Sequence, residues 1–232
     1  MSSDSRNLRI SDLEIVEFIN CFSVLVVLGS VSTSYFFGQI YKAQLGYSFY
    51  WLLASTIWII YTLDHVLDGL KHKEQSVSIR HYIHFKYRKT ILPTLAALSI
   101  FNAYIAFVFL PTALLKAGVV LAFSVLVYFL VVHFLKTKNI TIPKELMVSV
   151  IVACGMVVLP GVAGDMKFNG EAMLMVLSLS LVNFTNLLLF SYHDYANDIK
   201  NGLESAATQW GLDRTREVIM YALASAFICF TI

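Results

Sequence analysis

Charge is what this chain has least of. Only 14% of its 232 residues are Asp, Glu, Lys or Arg, whereas 58% are hydrophobic, and the mean hydropathy is +0.71. So little charge excludes an ordinary water-soluble domain. With a formal net charge of only +2, no nucleic-acid partner is expected. Cysteine is equally scarce. Cys21, Cys154 and Cys229 are odd in number, each falls inside an apolar stretch, and none stands at metal-ligand spacing. That excludes a disulfide framework and a zinc site. A short cleavable leader is missing too, because the first apolar stretch is too long for one and follows a polar segment containing Asp4, Asp12 and Glu14.

What is present is a series of long apolar runs. A bilayer core needs about 20 apolar residues per helix, and such stretches cover roughly residues 16–38, 48–70, 91–110, 113–135, 146–163 and 172–193. A shorter seventh, 216–232, is apolar only from Val218 onward and reads as a span cut short at its end. The expected fold class is therefore all-α: a polytopic transmembrane helical bundle of about seven spans forming one domain over residues 1–232.

The basic residues give an orientation. With a cytoplasmic N-terminus, the inward segments 1–15, 71–90, 136–145 and 194–217 hold 2, 6, 3 and 3 of the 17 Lys and Arg residues. Lys42, Lys116 and Lys167 fall on the other side. This bias follows the positive-inside rule, and the expected location is an integral, multi-pass protein of the cell (inner) membrane with membrane lipids as its surroundings.

That orientation puts the acid-bearing ends of two spans on one side. IYTLDHVLDGLKHKE, residues 60–74, carries Asp64 and Asp68, while YHDYANDIKNG carries Asp194 and Asp198. Partners at i,i+4 share a helix face about 6 Å apart along the axis. A charged carboxylate at the bilayer centre costs at least ~2.5 kcal/mol, and acids at a helix C-terminus oppose its dipole. Wetting by headgroup water accounts for one such pair; two at the same membrane face call for a cation. Oxygen-only carboxylate sites suit Mg²⁺, which commonly shares its coordination sphere with phosphates. Mg²⁺ is thus the expected cofactor, with Asp64, Asp68, Asp194 and Asp198 as ligands and catalytic residues, and nearby basic side chains as phosphate contacts.

The second pair resembles a family motif. Asp194, Asp198, Lys200, Gly202, Ser205 and Gly211, in DYANDIKNGLESAATQWG, are similar to the D-x3-D-x-K-x-G-x2-[ST] pattern of the UbiA-type intramembrane prenyltransferases. The first motif is partial: the family's N-D-x-x-D-x-x-x-D would place Asn and Asp where this chain has Ile60 and Tyr61. No R-P dipeptide occurs in SVSIRHYIHFKYRKTILP, where Arg80 and Arg88 stand instead. The family's Y-x-x-x-K meets Val132 and Lys136, and TIPKE followed by GMVVLPG is similar to its fifth span. The family has nine helices, of which the last two would be absent from this sequence.

The resemblance implies a prenyl diphosphate bound by its head at the cytoplasmic aspartates, its tail among the helices, and transfer of the prenyl group to an acceptor left open here. Arg80, Arg88, Lys136, Lys200 and His193 are the expected substrate contacts. Tyr61 and Tyr192 are either cation-stabilising aromatics or interface anchors. The loop 72–89 is either a cap over the diphosphate or a basic loop on anionic headgroups. His65, His72, His81, His84 and His193 fall near the same mouth as polar lining, and Asn183 and Asn186 in the sixth span call for interhelical partners or substrate. Three competing functions differ in what they require. A CDP-alcohol phosphotransferase needs a D-G-x-x-A-R element, which LDHVLDGLKHKE lacks. A transporter needs acids near the midplane. A non-catalytic lipid-diphosphate binder is consistent with Ile60 and Tyr61.

Overall fold

The computed structural model describes residues 10–12, 14–72, 79–134, 143–167, 169–202 and 204–231. Among these every regular element is helical: a short turn at Ile10–Asp12, then α1 (Ile15–Cys21), α2 (Val24–Ile40), α3 (Tyr47–His72), α4 (Ile79–Lys86), α5 (Arg88–Phe109), α6 (Thr112–Phe129), α7 (Lys144–Ala163), α8 (Gly170–Asn201), α9 (Ala206–Trp210) and α10 (Leu212–Thr231). The boundaries follow local chemistry. Pro111 and Pro143 precede α6 and α7 as N-caps, Asn169 Oδ1 accepts the Ala172 N–H at 3.0 Å to start α8, and Gly202 ends α8 in the left-handed region at φ 63°. Glycine takes that conformation without a Cβ penalty, and its N–H closes onto the last carbonyls of the helix.

Among the described residues four helices are long and apolar enough to cross a membrane, namely α5, α6, α7 and α8, and α1 with α2 makes a fifth if the pair is one bent span. α3 is long enough, but its Tyr, Trp, Ser and Thr residues lower its hydropathy. α10 opens on Asp213, Arg214, Arg216 and Glu217, which shortens its apolar part. The expected span 16–38 takes the form of two helices meeting at 65°. The break falls at Ser23, whose φ of 55° no α-helix accommodates. On α5 and α6 large apolar side chains such as Phe107 and Phe123 point outward, at 78% and 65% exposure. Water would penalise such faces and hydrocarbon does not.

The helices group into two compact units, one from Met1–Ser32 and Gly46–Leu110, the other from Thr33–Leu45 and Pro111–Ile232. In the first, α3 packs on α5 and α4. Asn102 on α5 donates to Ser55 Oγ on α3 at 2.8 Å, which satisfies two polar groups in an apolar layer. α4 comes close to α3 at Gly69, where an added Cβ would lie 2.7 Å from the His81 carbonyl oxygen. In the second unit α8 is central, with α7 and α10 against it. Phe184, Leu188, Ala206, Ile219 and Ala222 form its buried cluster, and Ser178 Oγ donates to the Ala226 carbonyl at 2.9 Å. The Asp165 N–H donates to the Tyr41 carbonyl at 2.8 Å, fastening the turn after α7 to the end of α2.

Candidate functional site

The second acid pair occupies the last turns of α8. Asp194 and Asp198 are both half-buried, whereas the intervening Ala196 and Asn197 are exposed, so one face carries both carboxylates. Gly202 then stops the helix, and Ser205 caps the start of α9. The Ser205 hydroxyl stands beside the Asp198 carboxylate, and Lys144 and Glu145, from the first turn of α7, are charged neighbours of the same group. Asp198 therefore stands among one other aspartate, a glutamate, a lysine and a hydroxyl. Charge of this mixed sign suits a cation held together with an anion better than either alone.

Glu145 itself is buried at 7% exposure and accepts the Ala206 N–H at 3.0 Å. Ser191 Oγ, one turn before Asp194, accepts the Ala207 N–H at 2.9 Å. Neither Lys144 nor Glu145 is among the residues expected from the sequence. The available signal was weak: TIPKE puts a proline N-cap before an acid in the first helical turn, which reads as ordinary helix-start chemistry. Lys200 and His193, expected as substrate contacts, are exposed on α8, and the His193 ring packs edge-on against Tyr192 at 5.9 Å.

The first pair lies on α3 in the other unit. Asp64 is half-buried and Asp68 buried at 7% exposure. Beside them His65 Nε2 lies 3.2 Å from Ser23 Oγ at the α1–α2 break. α4 covers this end of α3, bringing the rings of His81 and His84 to 5.7 and 5.2 Å from that of His65. His84 is fully buried, with Nδ1 2.8 Å from the Arg80 carbonyl oxygen. Burial pushes its pKa below the usual imidazole value, more than the hydrogen bond to the Arg80 backbone raises it, and the Arg80 charge lowers it further.

Of the expected basic contacts here, Arg80 is half-buried on α4. Arg88 stacks its guanidinium 4.0 Å over the Phe85 ring and donates Nη1 to the Phe85 carbonyl at 2.6 Å, closing the end of α4. Lys136 and the 73–78 part of the basic loop lie outside the described residues, as does the His72 side chain. In the sixth expected span, Asn183 is half-buried and Asn186 exposed.

Among the described residues no group of three or more His, Cys, Asp or Glu side chains is drawn together as a finished metal cage. Magnesium does not require one. It keeps waters and substrate oxygens in its octahedron and commonly takes only one or two carboxylates from the protein, a donor set that the Asp194 and Asp198 face can supply. Compared with protein-family models, curated proteins and solved structures, the chain matches none.

Proposed function

We propose that this chain is a UbiA-like intramembrane prenyltransferase with seven spans, moving a prenyl group from a prenyl diphosphate to an aromatic or lipid-soluble acceptor with the help of Mg²⁺. The observation that carries the reading is the α8 terminus, where Asp194 and Asp198 share a face with Ser205 and Lys144 as neighbours of Asp198. The apolar helices supply the hydrocarbon setting that a prenyl tail needs.

In this reading Asp194 and Asp198 hold the metal, and Lys144 and Lys200 supply positive charge to the diphosphate oxygens. Mg²⁺, when bound, neutralises the diphosphate as a leaving group. The C–O bond at the prenyl C1 breaks with its electron pair going to the diphosphate. A nucleophilic atom of the acceptor then forms the new bond at C1 and gives up its proton. The chain contributes by orienting the head group and keeping water from the allylic cation, for which the apolar helices are suited. Asp64 and Asp68 are assigned a metal-binding role in this reading.

Burial of Asp68 favours a second reading, in which the first pair is structural and the chain binds a lipid diphosphate without turnover. Release of diphosphate from farnesyl diphosphate by membranes containing the protein separates the two. Release that requires Mg²⁺ and falls at least about 100-fold in Asp194→Ala and Asp198→Ala is the expected result, given what outer and inner metal ligands contribute. Binding without release supports the second reading, and unchanged release in both variants contradicts the metal assignment.

A further inference from the structure

α9 is five residues long, yet its start is held by two other helices as well as by its own N-cap. The Ala206 N–H donates to Glu145 Oε1 of α7 at 3.0 Å, the Ala207 N–H to Ser191 Oγ of α8 at 2.9 Å, and the Thr208 N–H to Ser205 Oγ at 3.5 Å. The first N–H groups of any helix lack partners within the helix. Here Ala206 and Ala207 are buried at 1% and 0% exposure, so water is not an alternative partner. Glu145 lies 61 residues away in the chain and is itself buried. A buried carboxylate is costly unless hydrogen-bonded, and a short helix on a surface needs no such cap.

The segment that this clamp fixes is the one that touches Asp198. Ser205 directly precedes the Ala206 N–H held by Glu145, and the Ser205 hydroxyl stands beside the Asp198 carboxylate. On the other side the Gly202 N–H bonds the Asp198 and Ile199 carbonyls. Gly202 and Ala206 are thereby each held, on either side of Ser205's approach to Asp198.

We propose that Glu145 is a positioning residue for Asp198: by holding Ala206 it fixes Ser205, whose hydroxyl stands beside that carboxylate. This rests on the metal-dependent reading given above. Glu145 does not touch the cation; its contribution is an acceptor oxygen at one place. Glutamine keeps an acceptor oxygen there and loses the charge, whereas leucine loses both.

The experiment uses the full chain purified in detergent, with a non-ionisable farnesyl thiodiphosphate as probe and Mg²⁺ varied. Glu145→Leu, Glu145→Ala, Glu145→Gln and Asp198→Ala are compared with the wild type at matched helical content and monodispersity. Positioning partners of metal ligands typically contribute 10- to 100-fold in affinity. The Mg²⁺ half-saturation point is therefore expected to rise about tenfold or more in Glu145→Leu, less in Glu145→Ala, where water can reach the Ala206 N–H, and to stay within about threefold in Glu145→Gln. If Glu145→Leu does not fold, the Ala and Gln variants decide. Wild-type Mg²⁺ dependence in the Leu and Ala variants, with binding lost in Asp198→Ala, overturns the role of Glu145 and leaves the metal reading standing. A Gln variant as impaired as the others overturns positioning in favour of a direct charge effect. A wild type that never binds the probe overturns the metal reading and this inference with it.

Discussion

Ser205 caps α9, and its hydroxyl stands beside Asp198. Ser205→Ala should therefore lower stability by about 1 kcal/mol, the usual cost of a lost N-cap, and should also weaken Mg²⁺-dependent probe binding. Chemical denaturation and a binding titration read the two effects separately. A stability loss with unchanged binding would show that the hydroxyl serves only the helix. His84 has a different consequence. It is buried beside Arg80 with its pKa pushed below the ordinary value of 6.5. The unfolded chain thus takes up a proton at this site before the folded one does. The contribution of a neutral His84 is present above about pH 6.5 and is lost as pH falls through the lowered folded value. The apparent unfolding midpoint of the wild type should fall between pH 7 and pH 5, and His84→Gln should show a shallower fall; equal slopes would assign the effect to other groups. At this scale the aspartate pair of α8 was legible, because i,i+4 spacing fixes a shared face whatever surrounds it. Glu145 was not, because its partner is 61 residues away and no local spacing announces it. Arg88 illustrates the opposite case. In the sequence it is a basic residue near a diphosphate mouth, but Phe85 three positions earlier provides the ring and carbonyl that engage it.

The docking of α4 on α3 is the feature of element size with the clearest test. Gly69 lets the His81 carbonyl approach to where a Cβ would be 2.7 Å away. A backbone oxygen cannot swing aside as a side chain can. Gly69→Ala should cost about 1–3 kcal/mol as an overpacked contact and should loosen α4. Cys21 offers the readout, being buried at 3% exposure in the same unit and within electrostatic reach of Arg80. With Cys154 and Cys229 replaced by Ala, maleimide should label Cys21 faster in Gly69→Ala than in its parent; equal labelling would mean that α4 does not shield it. The helices themselves were largely legible, since long apolar runs bounded by Pro111, Pro143, Asn169 and Gly202 leave few alternatives. The break between α1 and α2 was not. Cys21, Phe22, Ser23 and Val24 continue an apolar run, and a non-glycine residue with φ 55° has no composition signal. Its reason is tertiary, in the contact between Ser23 and His65.

For the molecule as a whole, the distribution of basic residues makes a topological prediction. The segments 71–90 and 194–217 should face the same side of the membrane. Single cysteines introduced at Gln75 and Glu204 in a cysteine-free background should both resist a membrane-impermeant thiol reagent in intact cells and react after permeabilisation. Labelling of one but not the other in intact cells would place the acid pairs at opposite faces. Membrane character was legible from composition alone, because hydrocarbon is the one solvent in which outward-facing Phe107 and Phe123 carry no penalty. The number of crossings was less so. The tyrosines and tryptophans of α3 and the charged first turns of α10 place these helices between a buried amphipathic helix and a span. The most direct test of the central claim is Mg²⁺-dependent binding of the non-ionisable farnesyl diphosphate analogue to the detergent-purified chain and to Asp198→Ala. Binding by the wild type that chelation of Mg²⁺ reverses, and that Asp198→Ala lacks while remaining folded, is the predicted result. Binding that is indifferent to Mg²⁺ or to Asp198, or no binding by a folded wild type, would contradict it.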